Sequence, residues 1–301
     1  QTDIEAFAAA TVGSGAGADA PPRWWWGGLM AVVLCGLFAY SNSLSGPLVF
    51  DDRLTVLENP SIRTFWSTEA FRPTRELPVA GRPLVNLTFA ANYAVHGVDV
   101  RGYHAVNLLV HLWNALLVAG IVRRTARRRH GDTEAALLAG TVAAVWVVHP
   151  LASEAVSYIT QRTELMAGTA LLATLYSAIR AASSGSSLWT VAAIVASAAG
   201  MACKESMVVA PVVVCAFDRV FLYSSWREAL GRRWPLYVGL AATWLVLVAL
   251  LSTGGRMYSA GFGVGVGSWT YLLNQARLIP RYLRLAVWPS ALVLNYGEPV
   301  E

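Results

Sequence analysis

Two adjacent carboxylates, Asp51 and Asp52, are the first residues that could do chemistry. They follow the first apolar stretch of the chain, and an aromatic residue, Phe50, precedes them. A carboxylate held beside an acceptor hydroxyl can act as a general base. Two adjacent carboxylates could instead bind a divalent cation beside a phosphate, or form only a solvated acidic turn or a helix cap. The pair by itself leaves these alternatives open.

A second polar set falls within a predicted membrane helix. Its members are spaced three, four and three residues apart and therefore share one helical face: His104, Asn107, His111 and Asn114. Polar groups in a membrane helix are costly unless they face protein or water. Hydrogen bonding between helices accounts for His111 and Asn114, deeper in the span, as readily as function does. His104 and Asn107 lie nearer its end, and we expect them to line a cavity.

Further polar residues follow two other apolar stretches. His149 ends one of them and leads into Glu154 and Arg162, in a segment that could form a helix at the membrane surface. Lys204, the only lysine in the chain, stands beside Glu205 at the end of the other. This pair could be an ion pair at the membrane boundary, or Lys204 could contact a phosphate. We expect His149, Glu154 and Glu205 to line the same cavity as His104.

Three arginines fall within the last apolar stretch, Trp269 to Pro289, at spacings of four and three: Arg277, Arg281 and Arg284. Each charge at the centre of a bilayer costs several kcal/mol, and Pro280 would kink a spanning helix. The segment is therefore predicted to lie at the outer interface, with its arginine face toward an anion. The planar guanidinium group suits phosphate because it donates paired hydrogen bonds.

A scaffold of membrane helices must position these residues. The chain has 301 residues, of which 55% are hydrophobic and only 14% are charged, too few to cover the surface of a soluble domain. A spanning helix needs about 20 mostly apolar residues. Seven stretches approach this length: Trp24–Leu44, Tyr103–Val122, Ala135–Val148, Leu165–Ile179, Leu188–Cys203, Met207–Leu222 and Pro235–Leu251. The predicted fold class is an all-α multi-pass membrane protein.

Arginines between the spans predict how the chain is oriented. They cluster between the second and third spans, between the fourth and fifth, and around the join of the sixth and seventh: Arg123, Arg124, Arg127, Arg128, Arg129, Arg180, Arg219, Arg227, Arg232 and Arg233. Basic loops face the cytoplasm. Residues 1–23 are then a disordered cytoplasmic tail. The segments 45–102, 149–164, 204–206 and 252 onward lie outside.

The long outer loop, residues 45–102, contains its own predicted helix. Pro83 fits the first turn of a helix that runs to about Tyr93 and mixes apolar with polar residues, as expected of a helix lying on the bilayer. The net charge of +5 follows from the loop arginines. We therefore expect membrane lipids, and no nucleic acid, among the partners.

Taken in order, these motifs resemble the bacterial relatives of the transmembrane O-mannosyltransferases that act on cadherins. The resemblance runs from about Tyr40 to Tyr296 through short strings: Phe50-Asp51-Asp52, Asn59-Pro60, Arg82-Pro83-Leu84, Leu87-Thr88-Phe89, Asn92-Tyr93, Tyr103-His104 with Asn107 and His111, His149-Pro150 with Glu154, Arg162-Thr163-Glu164, Lys204-Glu205, Tyr282-Leu283-Arg284-Leu285, Trp288-Pro289 and Asn295-Tyr296. Members of that family commonly continue into further spans and tetratricopeptide repeats. The transmembrane domain, residues 24–301, is therefore expected to be incomplete at its C-terminal end.

The resemblance implies a GT-C glycosyltransferase fold with helices at the outer membrane surface, and it implies the classes of donor and acceptor and the acidic motif of the site. The implied donor is a sugar, with a mannose-like hexose favoured, on a polyprenyl or dolichyl monophosphate. The implied acceptor is a protein or peptide hydroxyl, and the matching acidic motif is Asp51-Asp52. The implied location is the bacterial inner membrane, with the active site facing away from the cytoplasm.

These residues suggest a single-base mechanism that inverts the anomeric centre. Asp51 or Asp52 would deprotonate the acceptor, and cations would stabilise the departing phosphate. The expected phosphate ligands share a positive charge: Arg277, Arg281 and Arg284, with Lys204 and Arg162 as secondary candidates. No cofactor is required, and a divalent cation is possible but not expected.

Two other classes of function are open to such a membrane protein. A transporter or flippase of a lipid-linked sugar would use the same arginines, but its typical mark is a pair of Gly/Pro-broken spans in two related halves, which the sequence does not show. A non-catalytic scaffold would leave the acidic pair and the arginine face unexplained.

Overall fold

The computed structural model describes residues 21–252, 267–290 and 292–293, and it contains no strand within these ranges. The α-helices are α1 (Trp25–Ala39), α2 (Thr68–Phe71), α3 (Pro83–His96), α4 (Val100–Ala126), α5 (Asp132–Val147), α6 (Ala152–Ser157), α7 (Arg162–Ser184), α8 (Ser187–Met201), α9 (Ala210–Phe217), α10 (Trp226–Ala242), α11 (Trp244–Ser252) and α12 (Ser268–Val287). The all-α prediction is confirmed. Most of the predicted tail, residues 1–20, and the Asn295-Tyr296 string lie outside the described residues.

Short helical turns of other types join these helices. Four are 3₁₀ turns: Ser41–Ser45, Pro60–Ile62, Ile159–Gln161 and Glu205–Val209. Two are π-helical turns: Arg53–Leu57 and Asp218–Leu222.

Three helical segments are long and apolar enough to cross a membrane: Val100–Ala126, Ile159–Ser184 and Trp226–Ser252. The apolar helices α1 and α8 are shorter, with 15 residues each. Together these helices make the chain an integral membrane protein, as its composition predicted. Each of the seven predicted spans corresponds to helix in the structure, although several boundaries differ.

Helices α4 and α10 show why the observed helix boundaries differ from the predicted span boundaries. Helix α4 begins before the predicted span because the Asp99 side chain caps it, accepting the backbone N–H of Arg101 at 3.0 Å. Helix α10 begins at Trp226, well before the predicted start at Pro235. Its backbone is non-helical at Arg233, where φ is −129° and ψ is 20°, just before the proline that cannot donate a helical hydrogen bond.

The helices pack in a bundle around α4 and α7. Helices α1, α4 and α5 share one core cluster, which includes Val32, Leu112 and Ala139. Gly36 allows this close approach, because a Cβ atom there would lie 2.5 Å from the Leu112 side chain. A separate cluster joins α7, α8, α9 and α10: Ala178, Ala193, Val214, Leu236 and Leu240.

The arginine-rich connections meet at one end of this bundle. Asp132 forms one ion pair with Arg123 at 3.5 Å and another with Arg127. Nearby, the guanidinium of Arg233 donates to both Asp218 oxygens at 2.6 Å and to the Ala178 carbonyl at 2.6 Å. A buried ion pair needs such additional hydrogen bonds to offset the loss of water.

The long first loop lies at the opposite end. Arg82 forms an ion pair with Glu205 at 3.1 Å, and the Leu84 N–H donates to the Ala202 carbonyl at 3.4 Å. Helix α4 has 27 residues and separates the two ends by about 40 Å, at about 1.5 Å per residue. The grouping of loops predicted from the arginines is therefore present in the fold.

The predicted surface helix is α3, which begins at Pro83 as expected. It ends at His96 and is followed by Gly97, whose φ of 57° is a conformation that glycine adopts at little cost. One face of α3 is buried, with Phe89 stacked on Tyr103 of α4 at 6.2 Å between ring centroids. Helix α3 is thus fixed to the end of the bundle.

Cysteine labelling tests which end faces which compartment. In a background without Cys35, Cys203 and Cys215, we expect Glu69→Cys to react with a membrane-impermeant maleimide added to intact cells. Glu134→Cys, at the arginine-rich end, should react only after permeabilisation, because basic loops face the cytoplasm. Labelling of both positions from one side would contradict the separation of the two ends. A reversed pattern would contradict the predicted orientation.

Candidate active site

The two adjacent carboxylates lie in different environments. Asp52 is completely buried. Its Oδ1 accepts the N–H and the hydroxyl of Thr160, both at 2.8 Å, and its Oδ2 accepts the N–H groups of Ile159 at 3.3 Å and Val49 at 3.1 Å. Burial raises the pKa of Asp52, and the hydrogen bonds offset part of that rise. Its carboxylate therefore ties the first loop to the turn before α7.

Asp51 is exposed, and its backbone is held in place beside Tyr158. Its N–H donates to the Tyr158 hydroxyl at 3.2 Å, and the Phe50 ring lies 6.1 Å from the Tyr158 ring. Phe50 has a φ of 45°, a costly conformation for a residue with a side chain. Burial raises the pKa of Tyr158 to about 12, so its hydroxyl stays protonated at neutral pH. A fixed backbone thus presents the Asp51 carboxylate to solvent.

The burial of Asp52 and the exposure of Asp51 make it difficult for both carboxylates to bind the same cation. The Asp52 oxygens accept four hydrogen bonds, which a shared metal ion would have to break. Among the described residues, no group of three or more His, Cys, Asp or Glu side chains lies close enough together to hold a metal ion. A cation shared by both carboxylates would therefore disrupt the hydrogen bonds of Asp52, and the role of Asp51 as a general base stays a prediction.

His111 and Asn114 form interhelical hydrogen bonds. The Nε2 of His111 lies 2.9 Å from the Val147 carbonyl, and its ring stacks on Trp146 at 4.8 Å. Asn114 donates to the Leu165 carbonyl at 3.0 Å and accepts the Thr169 hydroxyl at 2.7 Å. Hydrogen bonding between helices thus accounts for both His111 and Asn114.

His104 and Asn107 are also completely buried, which differs from the expectation that they line a cavity. The Nε2 of His104 lies 3.2 Å from the Gly46 carbonyl. Asn107 donates to the carbonyls of Tyr158 at 3.4 Å and Ile159 at 3.2 Å. Buried carbonyl groups need hydrogen-bond partners. The side chains of His104 and Asn107 supply them, and they thereby fix the backbone segments next to Asp51.

Arg162 is completely buried as well, and its contact with a donor phosphate stays a prediction. Its Nε donates to Asn107 at 2.7 Å, and its Nη atoms donate to the carbonyls of Tyr103 at 2.9 Å and Thr88 at 3.3 Å. The guanidinium also lies 4.3 Å from the centre of the Phe89 ring, a favourable cation–π contact. Arg162 thereby joins α3, α4 and α7.

The remaining charged candidates lie around the same end of the bundle. Lys204 forms an ion pair with Glu164, and Glu205 pairs with Arg82. These pairs link the end of α8 to the starts of α7 and α3. Lys204 thus forms an ion pair within the chain, as one of the two alternatives predicted. Its contact with a phosphate stays a prediction.

His149 and Glu154 lie beside the turn before α7. Glu154 is exposed and accepts Gln161 Nε2 at 3.0 Å. The Nδ1 of His149 accepts the Leu151 N–H at 3.3 Å within its own turn. Glu154 is therefore accessible, His149 makes a contact within its own turn, and their place in the lining of a cavity stays a prediction.

The three arginines predicted to bind the donor phosphate, Arg277, Arg281 and Arg284, lie on α12. This helix has 20 residues and is not among the described segments that are long and apolar enough to cross a membrane, and its position at the outer surface stays a prediction. Leu285 is buried, whereas Arg277 and Arg284 are exposed and Arg281 is half-buried. The face is thus accessible to a ligand, and its assignment to phosphate stays a prediction.

Sequence reasoning missed the residues that hold the site together. Asn59 donates to Asn86 at 3.0 Å, and Asn86 donates to the Ser61 hydroxyl at 3.0 Å and to the Ala70 carbonyl at 2.9 Å. The Asn59-Pro60 pair signals a local turn, but not its partner on α3. For Thr160 the sequence carries no signal, because its partner Asp52 is 108 residues away.

Comparison with known families gives a match across the centre of the chain. The model of the family described as dolichyl-phosphate-mannose-protein mannosyltransferase matches residues 81–253, more than half of the chain. No solved structure matches the chain.

Similar proteins are named as O-mannosyltransferases. Protein O-mannosyl-transferase Tmtc2 of Drosophila melanogaster is 29% identical over 284 residues, which cover 86% of this chain and 29% of that protein. Protein O-mannosyl-transferase TMTC1 of Homo sapiens is 29% identical over 151 residues, 46% of this chain and 16% of that protein. The chain therefore spans less than a third of the length of these relatives. The matches confirm the resemblance to the transmembrane O-mannosyltransferases.

The different environments of the two carboxylates predict different effects of the same substitution. We expect Asp52→Asn to destabilise the protein, because the new amide turns an N–H donor toward the N–H groups of Val49 and Ile159. Each buried donor left without an acceptor costs about 1–3 kcal/mol, so the loss should be roughly 2–6 kcal/mol. The measurement is the free energy of unfolding in detergent. Asp51→Asn is the matched control and should change it by less than about 0.5 kcal/mol. Equal effects of the two substitutions would contradict the assignment of Asp52 as the anchor.

Proposed function

Because the chain belongs to the dolichyl-phosphate-mannose-protein mannosyltransferase family, we propose that it transfers a sugar from a lipid monophosphate to a protein hydroxyl. The donor is a mannose-like hexose on a polyprenyl or dolichyl phosphate, and the reaction occurs on the outer side of the membrane. The observation that supports this most directly is the exposed carboxylate of Asp51 beside the buried anchor of Asp52. The relatives' printed names support mannosyl transfer to protein.

In the proposed reaction, Asp51 acts as the general base. It accepts the proton of the acceptor hydroxyl while the hydroxyl oxygen attacks the anomeric carbon. The bond from that carbon to the phosphate oxygen breaks, and the bonding electrons leave with the lipid phosphate. The products are the glycosylated acceptor, with an inverted anomeric centre, and the lipid phosphate. One carboxylate is sufficient because phosphate leaves without the acid that a glycosidase needs.

The exposed position of Asp51 suits this role, and the buried position of Asp52 does not. A base must come within hydrogen-bonding distance of the proton that it removes. Asp52 has no exposed surface, and its oxygens already accept four hydrogen bonds. A protein acceptor would approach from solvent, where the Asp51 side chain lies.

Arginines of α12 are the proposed ligands of the departing phosphate. Arg277 and Arg284 are exposed on α12, and we propose that this arginine face lies toward the donor phosphate. A guanidinium fork stabilises the charge that develops on phosphate as the sugar leaves. Because Arg162 is buried, we leave it out of this step and assign it to positioning.

Sugar transfer by purified variants tests the role of Asp51. With a mannosyl polyprenyl phosphate and a Ser/Thr-rich peptide, we expect Asp51→Asn to lower turnover about a hundred- to ten-thousandfold, the typical contribution of a general base. The free energy of unfolding should stay near that of the wild type. Glu69→Gln, an exposed acid in the same loop, is the control and should keep its turnover. Normal turnover of Asp51→Asn would rule out this base and direct attention to Glu154.

Alanine substitutions on α12 test the phosphate ligands separately. We expect Arg284→Ala to lower kcat/KM about ten- to hundredfold, because a charged hydrogen bond contributes about 1.5–3 kcal/mol. Arg284→Lys should recover only part of this, since lysine keeps the charge but loses the paired donors. Arg227→Ala, an exposed arginine at the opposite end, serves as the control. Wild-type donor binding and turnover for alanine at each of Arg277, Arg281 and Arg284 would exclude the clamp.

A further inference from the structure

The arginine cluster after α4 divides into two groups in the fold. Arg123 and Arg127 pair with Asp132 at the start of α5. Arg124 donates to the Gly120 carbonyl at 3.2 Å and lies 4.6 Å from the centre of the Tyr176 ring. These three arginines join α4 to α5 and α7, so their charges serve packing within the bundle.

Arg128 and Arg129 differ from the other three. Both are exposed, and within the described ranges the side chain of neither forms a hydrogen bond or an ion pair. Asp218 is an acid that interacts electrostatically with Arg128, but its carboxylate already accepts hydrogen bonds from Arg233 and the Tyr237 hydroxyl. Two neighbouring cations thus remain available to an anion from outside the chain.

These two arginines stand at the edge of an apolar cleft. The cleft has a volume of about 330 Å³ and also includes His130. Its floor is formed by Leu138 of α5 and by Phe217 and Phe221, whose rings lie 4.7 Å apart at the end of α9. Leu138 and Phe221 are 46% and 43% exposed, respectively, so the floor is open to an apolar ligand.

Charge and hydrophobicity together indicate what kind of ligand fits. A soluble phosphate would be attracted to the arginines but would leave the aromatic floor in water. A phospholipid matches both parts, since its phosphate can contact the cations while its acyl chain covers the floor. Basic pockets between membrane helices on the cytoplasmic side bind anionic lipid headgroups in this way.

We propose that this cleft binds an anionic phospholipid from the membrane leaflet at the arginine-rich end of the bundle. Arg128 and Arg129 contact the headgroup phosphate, and the acyl chain lies over Leu138, Phe217 and Phe221. The site is about the length of α4 away from Asp51 and takes no part in sugar transfer. The proposal therefore does not depend on the proposed function.

Native mass spectrometry of the full chain in detergent tests this lipid site. Phosphatidylglycerol and phosphatidylcholine are titrated separately, and bound lipids are counted. We expect the wild type to prefer phosphatidylglycerol, and Arg128→Gln/Arg129→Gln to bind it about ten- to thirtyfold more weakly, because each arginine near the membrane surface contributes about 1 kcal/mol. Binding of phosphatidylcholine should not change.

Two control variants separate the site from a general effect of charge. Arg101→Gln changes the charge at the opposite end of α4, where Arg101 is exposed, and should keep the wild-type affinity. Arg128→Lys/Arg129→Lys should recover most of the binding, since attraction to an anionic headgroup is largely electrostatic. An excess of inorganic phosphate should not displace phosphatidylglycerol, because phosphate leaves the floor uncovered.

Three results would overturn the proposal. The first is equal affinity for both lipids in the wild type, and the second is an equal loss in Arg101→Gln and in the double glutamine variant. The third is complete displacement by inorganic phosphate, which would identify a site for the free anion instead.

Discussion

The buried carboxylate of Asp52 forms no ion pair within the described part of the chain, and the surrounding chain supplies it with N–H and O–H donors. Donors come from Val49 in the first loop and from Ile159 and Thr160 in the turn before α7. A buried carboxylate is tolerated only when such hydrogen bonds replace its water. The first loop and that turn must therefore keep their relative positions, and the exposed backbone of Asp51 is fixed as a result.

A buried cation completes the same arrangement two residues after Thr160. The Arg162 guanidinium is surrounded by neutral acceptors and an aromatic ring, and it draws α3 and α4 toward the start of α7. Asn107 connects the two charges, because its amide donates to the turn held by Asp52 and accepts from Arg162. Side-chain networks of this kind are stable only when each member is satisfied. Buried polar groups thus hold the site together, and the exposed groups are left for ligands.

The opposite end of the bundle shows the same division among its arginines. Arg123, Arg127 and Arg233 are used in ion pairs with acids of the chain, whereas Arg128 and Arg129 lie over an apolar cleft. The two ends therefore offer separate surfaces, one proposed for sugar transfer and the other for a membrane lipid. The length of α4 keeps them apart, so each can be tested without altering the other.

The sequence by itself determined the all-α membrane class, the approximate spans, the start of α3 at Pro83 and the segregation of arginine-rich loops from the acidic motif. These properties follow from composition, local helix signals and charge, which act within a few residues. It could not distinguish Asp51 from Asp52, or Arg127 from Arg128, because such neighbours carry the same local signal. Only the tertiary structure decided between them: the donors to Asp52 include a turn 107 and 108 residues away, and Arg127 meets an acid of the next helix. Burial and hydrogen bonding depend on which distant segments come together, and the periodicity of one segment does not contain that information.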